Sequence, residues 1–347
     1  MSSSSFATQA DGRRLSLERY IEGVLAGDRV VLARAITLIE SRLPADAGNA
    51  AQLLDSILPH TGESRRVGIT GVPGVGKSTF IDALGMHVVR DRGERLAVLT
   101  VDPSSSISGG SILGDKTRME RLSAEPHAFI RPSPAGGHLG GVARRTRETI
   151  LLCEAAGFRN VFIETVGVGQ SETAVRSMSD FFLLLMLAGA GDELQGIKRG
   201  IIEMIDGITI NKADGDNLIQ AERVRVEYAS ALHLFPPSAD GWTPRVLACS
   251  SLNNTGIAEI WQMVLDHESQ LQASGRIAER RTQGDLQWMN DLIAMGLEEI
   301  FHAQSAVAER LPALRREVHN GVVTPLAASR ELLRLFHPPD GVQTANT

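Results

Sequence analysis

Apolar positions fall into three textures along the chain. Over residues 15–42, Leu17, Tyr20, Ile21, Val24 and Leu25 recur at helical spacing; Gly27-Asp28 breaks the pattern, and Val31, Leu32, Ala35, Ile36 and Ile39 resume it. The spacing predicts a helical hairpin with Asp28 as N-cap of its second helix. Over 66–270, short apolar runs (67–70, 96–101, 161–163, 182–187, 207–210, 246–249) alternate with amphipathic stretches (79–90, 142–156, 197–204, 218–231, 257–265). Near-continuous runs of this length suit strands buried on both faces of a parallel sheet. Their alternation with helices predicts an α/β fold with a doubly wound, mostly parallel sheet, where ligands bind beyond the carboxyl ends of the strands. After 271 the strand pattern stops. Leu286, Met289, Ile293, Leu297 and Ile300 mark one helix and 318–336 another, and His337-Pro338-Pro339 opens a coil. The expected organisation is an N-terminal helical extension over 1–60, an α/β domain over 61–270, and a helical arm and tail over 271–347.

Composition narrows the partners. Of the 347 residues 43% are apolar and 22% charged, with ample material for a core. The 35 basic and 41 acidic residues give a net charge of −6, which argues against nucleic acid or an anionic membrane as the main partner. Aromatics at 4% are too few for a base-stacking platform. Cys153 and Cys249 lie far apart without a CxxC pair, so neither a disulfide framework nor a structural zinc site is expected. The longest apolar run, between Asp180 and Asp192, falls short of the ~20 residues that span a bilayer. Residues 1–14 are polar and Ser-rich, without a leader pattern, so the expected location is cytoplasmic.

The strongest chemical signal is Gly71-Val72-Pro73-Gly74-Val75-Gly76-Lys77-Ser78-Thr79. It follows an apolar run and opens a helical stretch, the setting a phosphate-binding loop requires. Its glycines let backbone N–H groups turn inward onto phosphate oxygens, and the helix N-terminus adds its dipole. Lys77 is placed on the β/γ-phosphates and the Ser78 hydroxyl on Mg²⁺.

Asn211-Lys212-Ala213-Asp214 ends the run 207–210, at the sheet edge where a nucleotide base would lie. A carboxylate such as Asp214 accepts two hydrogen bonds from guanine, a pair adenine does not offer, which permits discrimination of ~10⁴-fold. Alone, four such residues are as readily a polar turn; downstream of a phosphate loop they read as a guanine site. Ser250 and Ser251, after the last run, are placed to offer a backbone N–H to the base. Asp102, Glu164 and Gly167 follow neighbouring runs, and Asp115, Lys116, Thr117 and Arg118 sit in a Gly- and Ser-rich loop. The carboxylates suit the surroundings of Mg²⁺, and the Gly167 N–H suits the γ-phosphate. Asp102 reads alternatively as a helix cap, and Asp115 with Lys116 as a solvated loop. Where Ras-like enzymes place a water-orienting glutamine, Val168 stands, with Gln170 two residues on. Slow intrinsic hydrolysis is therefore expected.

Assembled, these residues resemble the MeaB/ArgK/MMAA family of GTPases. The likeness extends to Val101-Asp102-Pro103-Ser104-Ser105-Ser106, Gly114-Asp115-Lys116-Thr117-Arg118-Met119, Glu164-Thr165-Val166-Gly167-Val168-Gly169-Gln170-Ser171-Glu172, Gly191-Asp192-Glu193-Leu194-Gln195-Gly196-Ile197-Lys198 and Gln287-Trp288-Met289. It covers nearly the whole chain, from about Leu15 to about Phe336. The resemblance implies a P-loop GTPase that binds GTP or GDP with Mg²⁺. It also implies a chaperone of an adenosylcobalamin-dependent methylmalonyl-CoA mutase or related acyl-CoA mutase, gating cofactor loading and protecting the mutase from inactivation. It further implies a homodimer through the C-terminal arm, Asp102, Asp115 and Glu164 around the metal, and Lys198 as a switch residue drawn to the nucleotide when the mutase docks. The Cys249-Ser250-Ser251 element departs from the family's usual Ser-Ala form. No Asp-x-His-x-x-Gly run is present, so cobalamin is expected on the partner. Two other readings compete: a nickel-inserting metallochaperone GTPase, disfavoured by the isolation of Cys153, Cys249, His127 and His138, and a transport-protein kinase, for which the sequence supplies no acceptor pocket.

Overall fold

The strand that leads into the glycine-rich loop lies in the middle of a seven-stranded sheet. The computed structural model describes residues 14–41, 43–101, 119–132, 139–165, 172–188, 199–233 and 241–337. The strands are β1 (Arg65–Gly71), β2 (Leu96–Val101), β3 (Ala128–Pro132), β4 (Asn160–Thr165), β5 (Phe181–Leu187), β6 (Gly207–Asn211) and β7 (Arg245–Ala248). Their order is β3-β2-β4-β1-β5-β6-β7, and every neighbouring pair is parallel. The chain winds outward from β1 in both directions, so a cleft opens beyond the carboxyl ends of the central strands.

Each face of the sheet carries its own core. On one face Val67, Ile69, Phe162 and Leu183 meet Phe80, Ile81 and Leu84 of α4 (Lys77–Met86) and Trp261 and Val264 of α10 (Ile257–Ala273). On the other, Val161, Ile163, Phe182 and Leu184 pack against α1 (Leu17–Leu25), α2 (Arg29–Glu40), α3 (Pro44–Ile57), α6 (Leu139–Ala155) and α9 (Leu218–Leu232). A fully buried Phe or Leu contributes roughly 1.5–3 kcal/mol by leaving water, which fixes the strands that carry the site. Asp28 caps α2 as expected, accepting from the Val30 and Val31 N–H groups at 2.8 and 3.2 Å. The short helices α5 (Glu120–Ser123), α7 (Glu172–Ser177) and α8 (Arg199–Ile202) complete this part of the chain.

The chain divides into two compact units, Met1–Gly284 and Asp285–Thr347, and α11 (Arg276–Ala303) belongs to both. In the second unit, α12 (Ser305–His319) and α13 (Pro325–Phe336) enclose Val307, Leu314, Ala328 and Leu332. Along α11, Leu286, Met289, Ile293, Leu297 and Ile300 are between 49% and 60% exposed. The stretch 318–336 is therefore not one helix: α12 stops at His319, and α13 restarts at Pro325 behind a Thr324 cap. Three further elements depart from the sequence pattern. Residues 128–132 form an edge strand and 44–57 a third N-terminal helix; the expected helix 79–90 begins at Lys77 and passes after Met86 into a π-helical turn, His87–Asp91.

Buried charge fastens the root of α11 within the first unit. The Asp206 carboxylate, 3% exposed, accepts from Arg176 at 2.6 and 3.2 Å and from the Phe182 N–H at 2.8 Å. His267 Nε2 lies 3.6 Å and Arg280 3.5 Å from its Oδ1. Burial works against this charge, but Arg176, His267 and Arg280 outweigh it and hold the carboxyl down at about 2. Arg281 grips Asp180 at 2.7 and 2.9 Å. A side chain at Gly284 would meet the Ser177 carbonyl at 2.6 Å, so only glycine lets α11 pass this close to α7.

Candidate functional site

The phosphate end is assembled by β1, the loop after it and α4. Gly71 ends β1 so close to β5 that a Cβ would lie 2.5 Å from the Leu185 carbonyl. Gly76 stands at the N-cap of α4 in the left-handed region, φ 91°, with a would-be Cβ 3.0 Å from Asn211 Nδ2. The turn leaves the α4 N-terminus open towards the cleft, with Lys77 and Ser78 in its first turn. The Lys77 ammonium donates to the carbonyls of Gly71 and Val72 at 2.8 and 3.2 Å. Burial pulls its pKa down, and Glu164 and Glu172 offset part of that. The Ser78 hydroxyl donates to Glu164 Oε1 at 3.4 Å, so a hydroxyl and a carboxylate from neighbouring elements converge beside the ammonium.

The base end is assembled by the carboxyl ends of β6 and β7. Asn211, 2% exposed, donates through Nδ2 to the Val75 carbonyl at 2.9 Å, bonding β6 to the phosphate loop. Its Oδ1 accepts from the Ser251 hydroxyl at 2.8 Å, the Ser251 N–H at 3.3 Å and the Cys249 thiol at 3.4 Å. Lys212 adopts a left-handed backbone, φ 59°, secured by Asn217 Nδ2 on its carbonyl at 2.7 Å. Its ammonium reaches the Gly74 carbonyl at 3.0 Å, laying the stem along the loop. The Ser250 hydroxyl donates to Asp214 Oδ2, which orients that carboxylate. The Ala213 N–H donates to the Cys249 carbonyl at 2.9 Å, joining the two base loops. Burial pushes the Cys249 thiol up to about 12, which keeps it a neutral donor.

Residues 32–306 match the family model described as methylmalonyl Co-A mutase-associated GTPase MeaB. The chain belongs to the MeaB family. A putative GTPase of Caulobacter vibrioides is 52% identical over 322 residues, covering 93% of this chain and 98% of that one. The mitochondrial methylmalonic aciduria type A homolog of Mus musculus is 44% identical over 337 residues, covering 94% and 81%. The crystal structure of an LAO/AO transport system kinase superposes with a TM-score of 0.72 at 39% identity, covering 95% and 99%. This MeaB-family chain is a GTPase: it binds guanine nucleotides and hydrolyses GTP on a P-loop fold. Among its described residues no helix is long and apolar enough to cross a membrane.

The structure brings the candidate residues Gly71, Val72, Pro73, Gly74, Val75, Gly76, Lys77, Ser78, Thr79 and Glu164 together at one end and Asn211, Lys212, Asp214, Ser250 and Ser251 at the other. Asp102, Asp115, Gly167 and Lys198, with Lys116, Thr117, Arg118, Val168 and Gln170, lie outside the described residues. Three buried polar residues beside the phosphate end carry no role in the sequence reading: Thr70, Thr165 and Glu172. Thr165 Oγ1 donates to Thr70 Oγ1 at 2.8 Å, and Thr70 Oγ1 donates to Glu172 Oε1 at 3.5 Å. The available signal was polarity where a run of apolar strand residues meets the loop. In a single sequence, threonine at a strand end and glutamate at a helix start are both ordinary.

Proposed function

We propose that this GTPase is a chaperone of an adenosylcobalamin-dependent acyl-CoA mutase, with methylmalonyl-CoA mutase as the partner, gating cofactor loading and protecting the mutase from inactivation. The observation that carries the reading is the match to a mutase-associated family over residues 32–306. In this reading Asp214 takes the two guanine protons, Ser250 and Ser251 flank the base, and Lys77 exchanges two carbonyls for the β/γ-phosphate oxygens. Ser78 and Glu164, hard oxygen donors 3.4 Å apart beside Lys77, suit Mg²⁺, and we assign Asp102 and Asp115 to the same ion. Held by Ser78 and Glu164, Mg²⁺ would supply positive charge against the phosphate oxygens. Lys198 is the cation brought to the phosphates on docking, and Gly167 offers its N–H to the γ-phosphate. Cobalamin stays with the mutase. The exposed row Leu286, Met289, Ile293, Leu297 and Ile300 supports a homodimer through the C-terminal arm.

The test is capture of purified mutase by the tagged chain with and without a non-hydrolysable GTP analogue, joined to hydrolysis rates with and without the mutase. Nucleotide-dependent capture is expected, with a rise in rate that Lys198→Ala largely removes. Failure of both capture and stimulation would refute the chaperone reading. A second reading, a transport-protein kinase, draws on the name of the solved relative alone. Labelled γ-phosphate appearing on a protein acceptor rather than in water would favour it.

A further inference from the structure

Glu172 places a carboxylate, 2% exposed, at the first position of α7, beside a site that must bind a polyphosphate anion. Burying an anion where another anion binds is costly unless specific partners hold it. The hydrogen-bond chain Thr165–Thr70–Glu172 runs from the end of β4, through the last residue before the loop glycine, to the start of α7. Thr165 and Thr70 are 0% and 2% exposed, so their hydroxyls are bonded inside the protein rather than to bulk water. The Lys77 ammonium rests on the carbonyl of Gly71, the residue after Thr70, and feels the Glu172 charge. In sequence, Thr165 and Glu172 bound residues 166–171 on either side. One hydroxyl, that of Thr70, therefore ties both boundaries of that segment to the root of the phosphate loop.

We propose that Glu172 is a positioning residue for GTP hydrolysis, acting through the Thr70 hydroxyl to hold the carboxyl end of β4 and the start of α7 in register with the phosphate loop, a role that rests on the assignment of Lys77 to the β/γ-phosphates. The base contacts and the α- and β-phosphate contacts of the loop do not pass through this chain of bonds. Its loss falls on the step that involves the γ-phosphate, and GDP binding is spared. At 3.5 Å the contact is long for a hydroxyl on a carboxylate.

The test uses full-length Thr70→Val, Thr70→Ser and Glu172→Gln, with single-turnover GTP hydrolysis, GDP affinity and melting temperature measured on each. Thr70→Val removes the hydroxyl at nearly constant volume, and Glu172→Gln removes the charge at constant shape. Both are expected to slow hydrolysis by about tenfold or more, the worth of one hydrogen bond made by a charged group. GDP affinity should stay within about threefold, and Thr70→Ser should restore the native rate, the split expected of a positioning group. A native rate in Thr70→Val or in Glu172→Gln overturns the proposal. So does a parallel loss of GDP affinity and melting temperature that Thr70→Ser fails to restore, since that marks a merely structural role. Lys77→Ala is run alongside. Hydrolysis surviving in Lys77→Ala overturns the phosphate-site assignment itself, whereas hydrolysis lost there and intact in Thr70→Val removes only the role given to Thr70 and Glu172.

Discussion

Asn211→Ala should weaken GDP binding by about 100-fold, and the figure follows from four contacts. The side chain gives one hydrogen bond to the Val75 carbonyl and takes three, from the Ser251 hydroxyl, the Ser251 N–H and the Cys249 thiol. Its removal leaves the Val75 carbonyl and the Ser251 N–H without this partner; a buried group orphaned in this way costs roughly 1–3 kcal/mol. The Ser251 hydroxyl can rotate, and a thiol is a weak donor, so they add little. Without nucleotide the variant relaxes by letting the base loops and the phosphate loop separate. Nucleotide must restore the arrangement, so about 3 kcal/mol appears as lost affinity, which is about 100-fold. Calorimetry with GDP in excess Mg²⁺ measures this, with inorganic pyrophosphate as a probe that does not touch the base loops. Pyrophosphate binding should fall less than GDP binding, because it does not require the two ends to be held at a fixed separation. Asn211→Asp, which sets an oxygen against the Val75 carbonyl, should behave at least as badly. A folded Asn211→Ala that bound GDP within about threefold of the native chain would refute the idea that this residue couples the two ends.

Asp214→Asn should collapse the preference for GTP over ATP, since an amide no longer accepts both guanine protons; equal affinities of the native chain for the two nucleotides, by calorimetry, would remove the assignment. Truncation after Gly284 should give a monomer in sedimentation that still binds GTP, because Arg280 and Arg281, which fasten α11 to Asp180 and Asp206, are retained. A dimer persisting after that cut would place the interface elsewhere. The Asp206 carboxyl, held at about 2 against an ordinary 3.8, stabilises the fold fully above about pH 4 and loses that contribution as pH falls towards 2. By linkage the loss is about 2 kcal/mol. Urea midpoints between pH 5 and pH 2 should show it, and an equally steep fall in Asp206→Asn would refute the attribution.

Six of the seven strands were legible because each is a short apolar run closed by a turn residue. The seventh, Ala128–Pro132, carries Arg131 and Pro132, and an edge position tolerates both where a central strand would not. Helix Pro44–Ile57 was hidden by Ala, Gly and Asn where an apolar stripe was sought; its buried residues are only Asp46, Leu53 and Ile57. Helix Ser305–His319 was masked by Pro312 in its interior. At the site, the places of Lys77, Ser78 and Asp214 could be read because they follow from spacing to glycines and strand ends. The service of Asn211 to Val75 and of Ser250 to Asp214 joins elements more than thirty residues apart, which local pattern does not encode. Thr70 and Glu172 escaped for the same reason: their meaning lies in which buried atoms they meet.

The central place of β1 has a consequence for how this protein is born. Arg65 pairs with Asn160 across the sheet, 95 residues downstream, and the other neighbour of β1 is β5, later still. On a ribosome adding ~5–20 residues per second, the phosphate loop's strand waits about 5–20 s before its first sheet partner exists. During that interval Val67, Ile69, Phe80, Ile81 and Leu84, all fully buried in the finished molecule, have no β4 or β5 to cover them. The segment most specialised for nucleotide thus waits longest of the seven strands for its first sheet partner, and the nascent chain is a natural client for general chaperones. Synonymous changes that slow translation between β2 and β4 should lower soluble yield without altering a single contact of the folded state.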